Sequence, residues 1–302
     1  MDNYPSNLQS RLDASKMTLN DAAVSFAVFI PTNGRAENQI TYDYLREHGY
    51  TGEIFLIVDD LDEDKERYLE LYGDNVIVFD KEEWALKTDR VHNTLELRTV
   101  TYARNFISNL AKKIGLDYFA MVDDDLSSFS IRYEHQDSLK GKKADNVDGV
   151  FKAYVQYMQD CNIMITGFGG AGNYIGGLNS QFQKGVTFNL AGTFILKTDE
   201  LPDTFQFRGY VNEDVMVGLD YMSRGHLLFR ILDVMHSTPQ RGSNDGGHAD
   251  MYSEQNIYIQ DSLVATAHPD KLTRMAKDGE FSSRINWNNV RPKILTERWR
   301  KV

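Results

Sequence analysis

Residues 118–130 read YFAMVDDDLSSFS, an apolar run that stops at three consecutive carboxylates, Asp123, Asp124 and Asp125. A short apolar run bounded by polar residues suits a buried β-strand. Three aspartates on their own equally suit an acidic surface turn or a helix cap. Adjacent carboxylates at a strand end repel one another unless positive charge joins them. A divalent cation bound to phosphate is one solution, because hard oxygen ligands suit Mg2+ or Mn2+. The rest of the chain decides between these readings.

Upstream, the same pattern recurs. VSFAVFIPTNGR (24–35) reads as a strand running into a Pro/Asn/Gly turn, and ENQITYDYLREHG (37–49) as a helix stopped by Gly49. EIFLIVDD (53–60) is a second strand ending in Asp59 and Asp60, followed by the charged helix EDKERYLELYG (63–73), and NVIVFD (75–80) is a third. Val100, Ala103, Phe106, Ile107, Leu110, Ala111 and Ile114 recur at helical spacing before Gly115. Strands alternating with helices predict an α/β fold with a mostly parallel sheet covered on both faces. In such sheets ligands bind outside the carboxyl ends of the strands. Asn33, Arg35, Asp59, Asp60 and residues 123–125 all fall there.

The second half is less regular. Val150, Phe151, Tyr154, Val155 and Met158 make an amphipathic helix, NIMIT (162–166) a short strand, and GFGGAGNYIGGLNSQFQKG (167–185) a flexible glycine-rich loop. TFNLAGTFILKTDEL (187–201) returns to strand, NEDVMVGLDYMSRG (212–225) is a helix and LLFRILDVMHS (227–237) the last strand. GFGGAG matches G-x-G-x-x-G, but the glycines that follow interrupt the helix a dinucleotide site needs. GRAEN (34–38) lacks the Gly-Lys-Ser/Thr of a P-loop. Glu213 and Asp214 open a helix, where acids are favoured in any case, and a lone His236 or His248 is more often structural than a ligand.

The 302 residues, 41% hydrophobic and 25% charged, predict one globular domain with terminal extensions. Apolar runs such as FAVFI (26–30) fall far short of the roughly 20 residues a membrane-spanning helix needs. The first 20 residues have neither the basic start nor the apolar stretch of a secretory signal, so a cytoplasmic location is expected. The single Cys161 forms no internal disulfide and is expected to be buried. A net charge of −11 argues against a surface that tracks nucleic acid throughout, yet RINWNNVRPKILTERWRKV (284–302) is a local basic patch containing Trp287 and Trp299.

Together these pieces resemble the GT-A class of nucleotide-sugar glycosyltransferases. ARNFISNLAKKIGLDYFAMVDDD (103–125) is similar to the helix leading into that class's metal-binding D-x-D strand. The segment from LAGTFILKTDEL to ILDVMH is similar to its second half: a glycine-containing strand, an Glu-Asp pair opening a helix, Arg-Gly after that helix, and a strand ending in histidine. The motifs agree in order and spacing across about residues 25–240. IPTNGRAEN, VDDLDED and DYFAMVDDDLSSFS further resemble the TET-associated glycosyltransferases of phages, which are linked to the decoration of hydroxymethylated pyrimidines in DNA.

The resemblance implies a GT-A type three-layer sandwich with a Rossmann-like nucleotide-binding half. It spans residues 23–270, between a polar extension (1–22) and a basic one (271–302). It implies a metal-dependent, inverting transfer from a nucleotide sugar, UDP-sugar above all, with Mn2+ or Mg2+ held by Asp125, Asp123 and His236. Asp124 and His248 remain rival ligands. Pro31, Thr32, Asn33, Arg35, Asp59, Asp60, Arg104, Asp123 and Asp124 would line the donor site, Arg35 and Arg104 pairing with phosphate. Asp214 matches the general base, with Glu213 as runner-up. The acceptor would be DNA containing hydroxymethylated pyrimidine, reached in the host cytoplasm if a phage encodes the chain. The competing readings are the same chemistry on a cell-surface glycan or free nucleotide, and an inert sugar-nucleotide binding module, which would have no use for a base.

Overall fold

The computed structural model describes residues 5–19, 22–91, 95–239, 263–277 and 280–290. The polar N-terminal stretch forms α1 (Leu8–Ala14) and β1 (Lys16–Leu19). Leu8 and Leu12 of α1 are buried, and β1 pairs antiparallel with β2 (Ala22–Pro31). Then follow α2 (Ile40–Glu47), β3 (Glu53–Asp59), α3 (Lys65–Tyr72), β4 (Val76–Phe79), α4 (Lys81–Lys87), α5 (Thr101–Lys113) and β5 (Tyr118–Met121). These match the alternation expected from the apolar runs. Capping accounts for some of the boundaries: the Asp80 carboxylate accepts the Glu83 amide at 2.7 Å and starts α4.

β4, β3, β2 and β5 lie side by side in that order, and all three pairings are parallel. From β2 the chain moves outward to β3 and β4, then crosses back through α5 to place β5 on the other flank of β2. That reversal makes β2/β5 the topological switch point, where the loops at the carboxyl ends part and leave a crevice. Alternate residues along each strand serve opposite faces. Phe29 of β2 and Phe119 of β5 pack with α1, α4, α5 and α7, while Val28 and Ala120 pack with α2, α3 and α6. The result is three layers.

After β5 come β6 (Ser128–His135), β7 (Ser138–Lys143), α6 (Val147–Cys161), β8 (Ile165–Gly169), β9 (Val186–Thr187), β10 (Phe194–Lys197), α7 (Glu213–Met222) and β11 (Leu228–Ser237). The sheet continues from β5 as β10, β8, β11, β6 and β7, and with β1 on β2 and β9 on β11 it has 11 strands among the described residues. β10 runs antiparallel to both neighbours, and β11 runs parallel to β8. The carboxyl end of β11 therefore reaches the same edge as that of β5. A separate hairpin pairs β12 (Leu272–Lys277) with β13 (Glu280–Ile285).

Three local expectations change. The glycine-rich loop is a series of short 3-10 turns (Ala171–Tyr174, Gly177–Asn179, Gln181–Lys184). It is anchored by Tyr174, which is buried and donates its hydroxyl to the Leu232 carbonyl at 3.0 Å. The stretch 187–201 is strand only at Thr187, the end of β9, and over Phe194–Lys197. Cys161, expected inside, is exposed, because it is the last residue of α6 and lies beyond the buried stripe that ends at Met158. No described helix is long and apolar enough to cross a membrane.

Candidate active site

The turn after β2 is braced from inside. Pro31 ends the strand. Thr32 donates its hydroxyl to Asp124 Oδ2 at 2.8 Å and contacts the Tyr68 hydroxyl at 3.0 Å. Gln39 donates to both Thr32 Oγ1 and the Arg35 carbonyl at 2.9 Å. Arg35 Nη1 pairs with Asp124 Oδ1 at 2.5 Å. Asp124 thus ties the two flanks of the crevice together; burial raises its carboxyl above the ordinary value despite Arg35. Thr41, fully buried on α2, donates to the Asp123 carbonyl at 2.6 Å and accepts the Leu126 amide at 2.8 Å, which holds the aspartate turn in shape. Burial and then the neighbouring Asp123 and Asp124 push Asp125 up to about 6.

Asp123 connects to the helix opening at Glu213 through one guanidinium. Arg104, on α5 and 3% exposed, donates Nη2 to Asp123 Oδ1 at 2.8 Å and Nη1 to Glu213 Oε1. Its planar fork suits two carboxylates at once. The Phe194 and Phe207 rings flank it at 4.9 and 5.8 Å. Burial alone would lower the Arg104 pKa, but Glu213, Asp123 and Asp214 more than offset it. Asp214, next along α7, makes no such ion pair with a described residue. Desolvation and then the Glu213 charge push it up to about 7, against the pull of Arg104. Asn212 precedes the pair with φ 56, a left-handed turn that asparagine tolerates.

His236, near the end of β11, is 8% exposed and lies across Gly192 from Asp123. A Cβ at Gly192 would stand 3.1 Å from His236 Cε1 and 3.2 Å from Asp123 Oδ2, and its φ of +65° is itself a glycine conformation. His236 Nδ1 is buried without a hydrogen-bond partner. Burial and then Arg230 lower its pKa to about 4, which keeps the imidazole neutral, as a metal ligand must be. An orphaned neutral imidazole beside a carboxylate fits a divalent cation whose other positions come from phosphate oxygens and water. Among the described residues no group of three His, Cys, Asp or Glu side chains already converges on such a site. The structure brings Asp123 and His236 together on either side of Gly192, and Asp125 feels the charges of Asp123, Asp124 and Arg35.

Other candidates serve the strand ends. Asp59 accepts Asn33 Nδ2 at 3.1 Å and pairs with Lys81 Nζ at 2.9 Å. Asp60 accepts the Lys81 amide at 2.9 Å. His248 and most of the basic tail, Arg291, Lys293, Arg298, Trp299, Arg300 and Lys301, lie outside the described residues. Sequence reasoning missed Thr41, Lys81, Gly192 and Arg230. Arg230, on β11, is 5% exposed, makes no ion pair with a described residue and leaves Nε without a hydrogen-bond partner. Its Nη1 lies 3.5 Å from a Cβ placed on Gly170, and the His236 Nε2 lies 3.6 Å from the same point. Only Arg230 among these has a sequence signal, a lone charge inside an apolar strand.

The sequence profile of the family described as TET-Associated Glycosyltransferase matches residues 26–247. No curated protein sequence matches the chain. Among solved structures, the mannosyltransferase PcManGT from Pyrobaculum calidifontis in complex with GDP-Man and Mn2+ is similar at 15% identity and TM-score 0.49, covering 81% of this chain and 64% of that one. Glucosyl-3-phosphoglycerate synthase from Mycobacterium tuberculosis in complex with Mg2+ and UDP is similar at 9% identity and TM-score 0.43, covering 94% of this chain and 92% of that one. S. aureus TarS 1-349 is similar at 14% identity and TM-score 0.39, with coverages of 80% and 69%.

Proposed function

Because the chain belongs to the TET-associated glycosyltransferase family, and is therefore a glycosyltransferase, we propose that it moves a sugar with inversion from a nucleotide-sugar donor to the hydroxyl of a hydroxymethylated pyrimidine in DNA. One observation carries the catalytic part: Arg104 joins Asp123, at the end of β5, to Glu213, beside Asp214 at the start of α7. That link supports reading the candidate donor loop and the candidate base as parts of one site. The acceptor part rests on the family's description and on the sequence resemblance.

The acceptor oxygen attacks the anomeric carbon while the bond from that carbon to the diphosphate breaks, the electron pair leaving with the diphosphate. The acceptor proton passes to Asp214, whose pKa near 7 suits a base working at neutral pH. Glu213 is less suited, because Arg104 holds it as an ion pair. Asp123, Asp125 and His236 would hold Mn2+ or Mg2+, which supplies positive charge to the leaving diphosphate. Arg230, buried and without an ion pair to a described residue, would hold a phosphate oxygen from the β11 side. Thr32, Asn33, Arg35, Asp59 and Asp60 would seat the nucleotide of a UDP-sugar.

The test incubates the protein with Mn2+ and a panel of nucleotide sugars, with and without hydroxymethylpyrimidine DNA, and measures released nucleotide and labelled DNA. Transfer that chelation abolishes and Mn2+ restores is the expected result. Transfer undiminished in chelator removes the metal, and transfer to a glycan or free nucleotide alone removes the DNA acceptor.

A further inference from the structure

The β6–β7 hairpin is a basic element on an acidic protein. Residues 128–143 carry Arg132, Lys140, Lys142 and Lys143 against Glu134 and Asp137, in a chain of net charge −11. Its register sorts these residues by face. Ile131 lies opposite Lys142, Tyr133 opposite Lys140 and His135 opposite Ser138, whereas Arg132 and Glu134 point to the other side. That other side is turned back on the molecule, with the Arg132 guanidinium 4.7 Å from the Tyr174 ring. The outward side holds Ile131 and Tyr133, 43% and 42% exposed, between Lys140 and Lys142. It carries no carboxylate from either strand. Neither lysine makes an ion pair with a described residue.

The root of the hairpin is the candidate active site itself. β6 begins three residues after Asp125, Phe129 pairs with His236, and the Ser127 amide donates to the Ser237 carbonyl at 2.8 Å. Ile131 follows Asp125 by six residues, so their Cα atoms are at most about 21 Å apart. At 3.4 Å per nucleotide along a strand, that spans about six nucleotides. Among the described residues β7 is the last strand of the sheet, and lysines on such an edge guard against joining a second sheet.

We propose that the outward face of β6–β7 is the docking surface for the acceptor DNA, Lys140 and Lys142 neutralising phosphates and the Tyr133 ring packing against a base or sugar. This rests on the DNA acceptor proposed above and assigns its binding to the hairpin. Charge and aromatic exposure together select the partner, because a phosphate chain with planar bases meets both.

The test compares the parent with Lys140→Ala/Lys142→Ala, Lys140→Arg/Lys142→Arg and Tyr133→Ala, all exposed positions. It measures binding and transfer to hydroxymethylated duplex DNA across salt concentrations, together with donor hydrolysis in the absence of acceptor. The double alanine variant is expected to lower the magnitude of the log–log salt slope by about 1.8, or about 0.9 per lost phosphate contact. The arginine pair should keep the parent slope, Tyr133→Ala should weaken binding by about tenfold, and donor hydrolysis should be unchanged in all three. A parent that transfers to DNA while the double alanine variant keeps its affinity and slope overturns the hairpin proposal and leaves the acceptor standing. A parent that neither binds nor glycosylates any DNA overturns the acceptor reading, and the hairpin proposal with it.

Discussion

Asp214 and Arg104 are a carboxyl and a guanidinium set against each other in one buried corner. Asp214→Asn keeps the shape and loses the proton acceptor, so kcat should fall by roughly two to four orders of magnitude with donor affinity little changed. In the parent, kcat/KM should rise with pH through about 7, where Asp214 ionises, and the asparagine variant should lack that limb. A flat parent profile would assign the base elsewhere. The same raised pKa works against stability. The folded state holds a proton on Asp214 that the unfolded chain, with an ordinary carboxylate pKa of about 3.9, has already released, so stability from this group falls as pH rises from about 4 to 7. Asp214→Asn should therefore melt higher than the parent at pH 8, with a smaller difference at pH 5, as calorimetry can check. Arg104→Met leaves Glu213 buried without its cation, a loss of about 3 kcal/mol, and should shift the kcat/KM limb to higher pH, because the Arg104 charge holds the Asp214 pKa down. The carboxylates were legible in the sequence because each stands where an apolar run or helix begins or ends. Thr41 and Gly192 were not, since a buried hydroxyl and a left-handed glycine act through partners 82 and 44 positions away in the chain.

The short β10 owes its use to its entry. At Gly192 the backbone passes between His236 and Asp123 with no side chain in the way, and Gly192→Ala would meet both while adopting a strained φ of +65°. Transfer should drop at least tenfold with a modest loss of melting temperature, and transfer equal to the parent would show that the two side chains can part without consequence. The parallel strands β2 to β5 were readable because each is a continuous apolar run buried on both faces, closed by polar residues. The β6–β7 hairpin went unread for a physical reason. Its two-residue turn takes positive φ at Gln136 and Asp137, 49° and 55°, a conformation usually announced by Asn-Gly. Without glycine there, local chemistry carries no signal, and only cross-strand pairing stabilises the turn.

At the scale of the molecule, distant segments are fastened by few charges. Asp220 of α7 receives Arg208 Nη1 at 3.0 Å and lies 3.0 Å from His268 Nε2, and Arg208 also reaches Asp89 at 2.8 Å. Burial alone would raise the Asp220 pKa, but the His268 hydrogen bond and the Arg208 charge hold it below the ordinary value. Its contribution is therefore complete above the unfolded carboxylate pKa and is lost as pH falls through the lower folded value. Asp220→Asn should reduce stability by about 2 kcal/mol at pH 7, and the gap to the parent should close below about pH 4. A constant gap in denaturant titrations would mean the link is not electrostatic. The strand order beyond β5 was illegible, because which strand slides between two others is decided by packing of whole layers and leaves no local trace. That order also has a consequence for synthesis. β10 covers the flank of β5 yet is made about 70 residues later, so the growing polypeptide carries an open sheet edge until translation passes Lys197. Asp214 and His236 emerge later still. A nascent chain that has not yet reached His236 therefore holds only part of the candidate set.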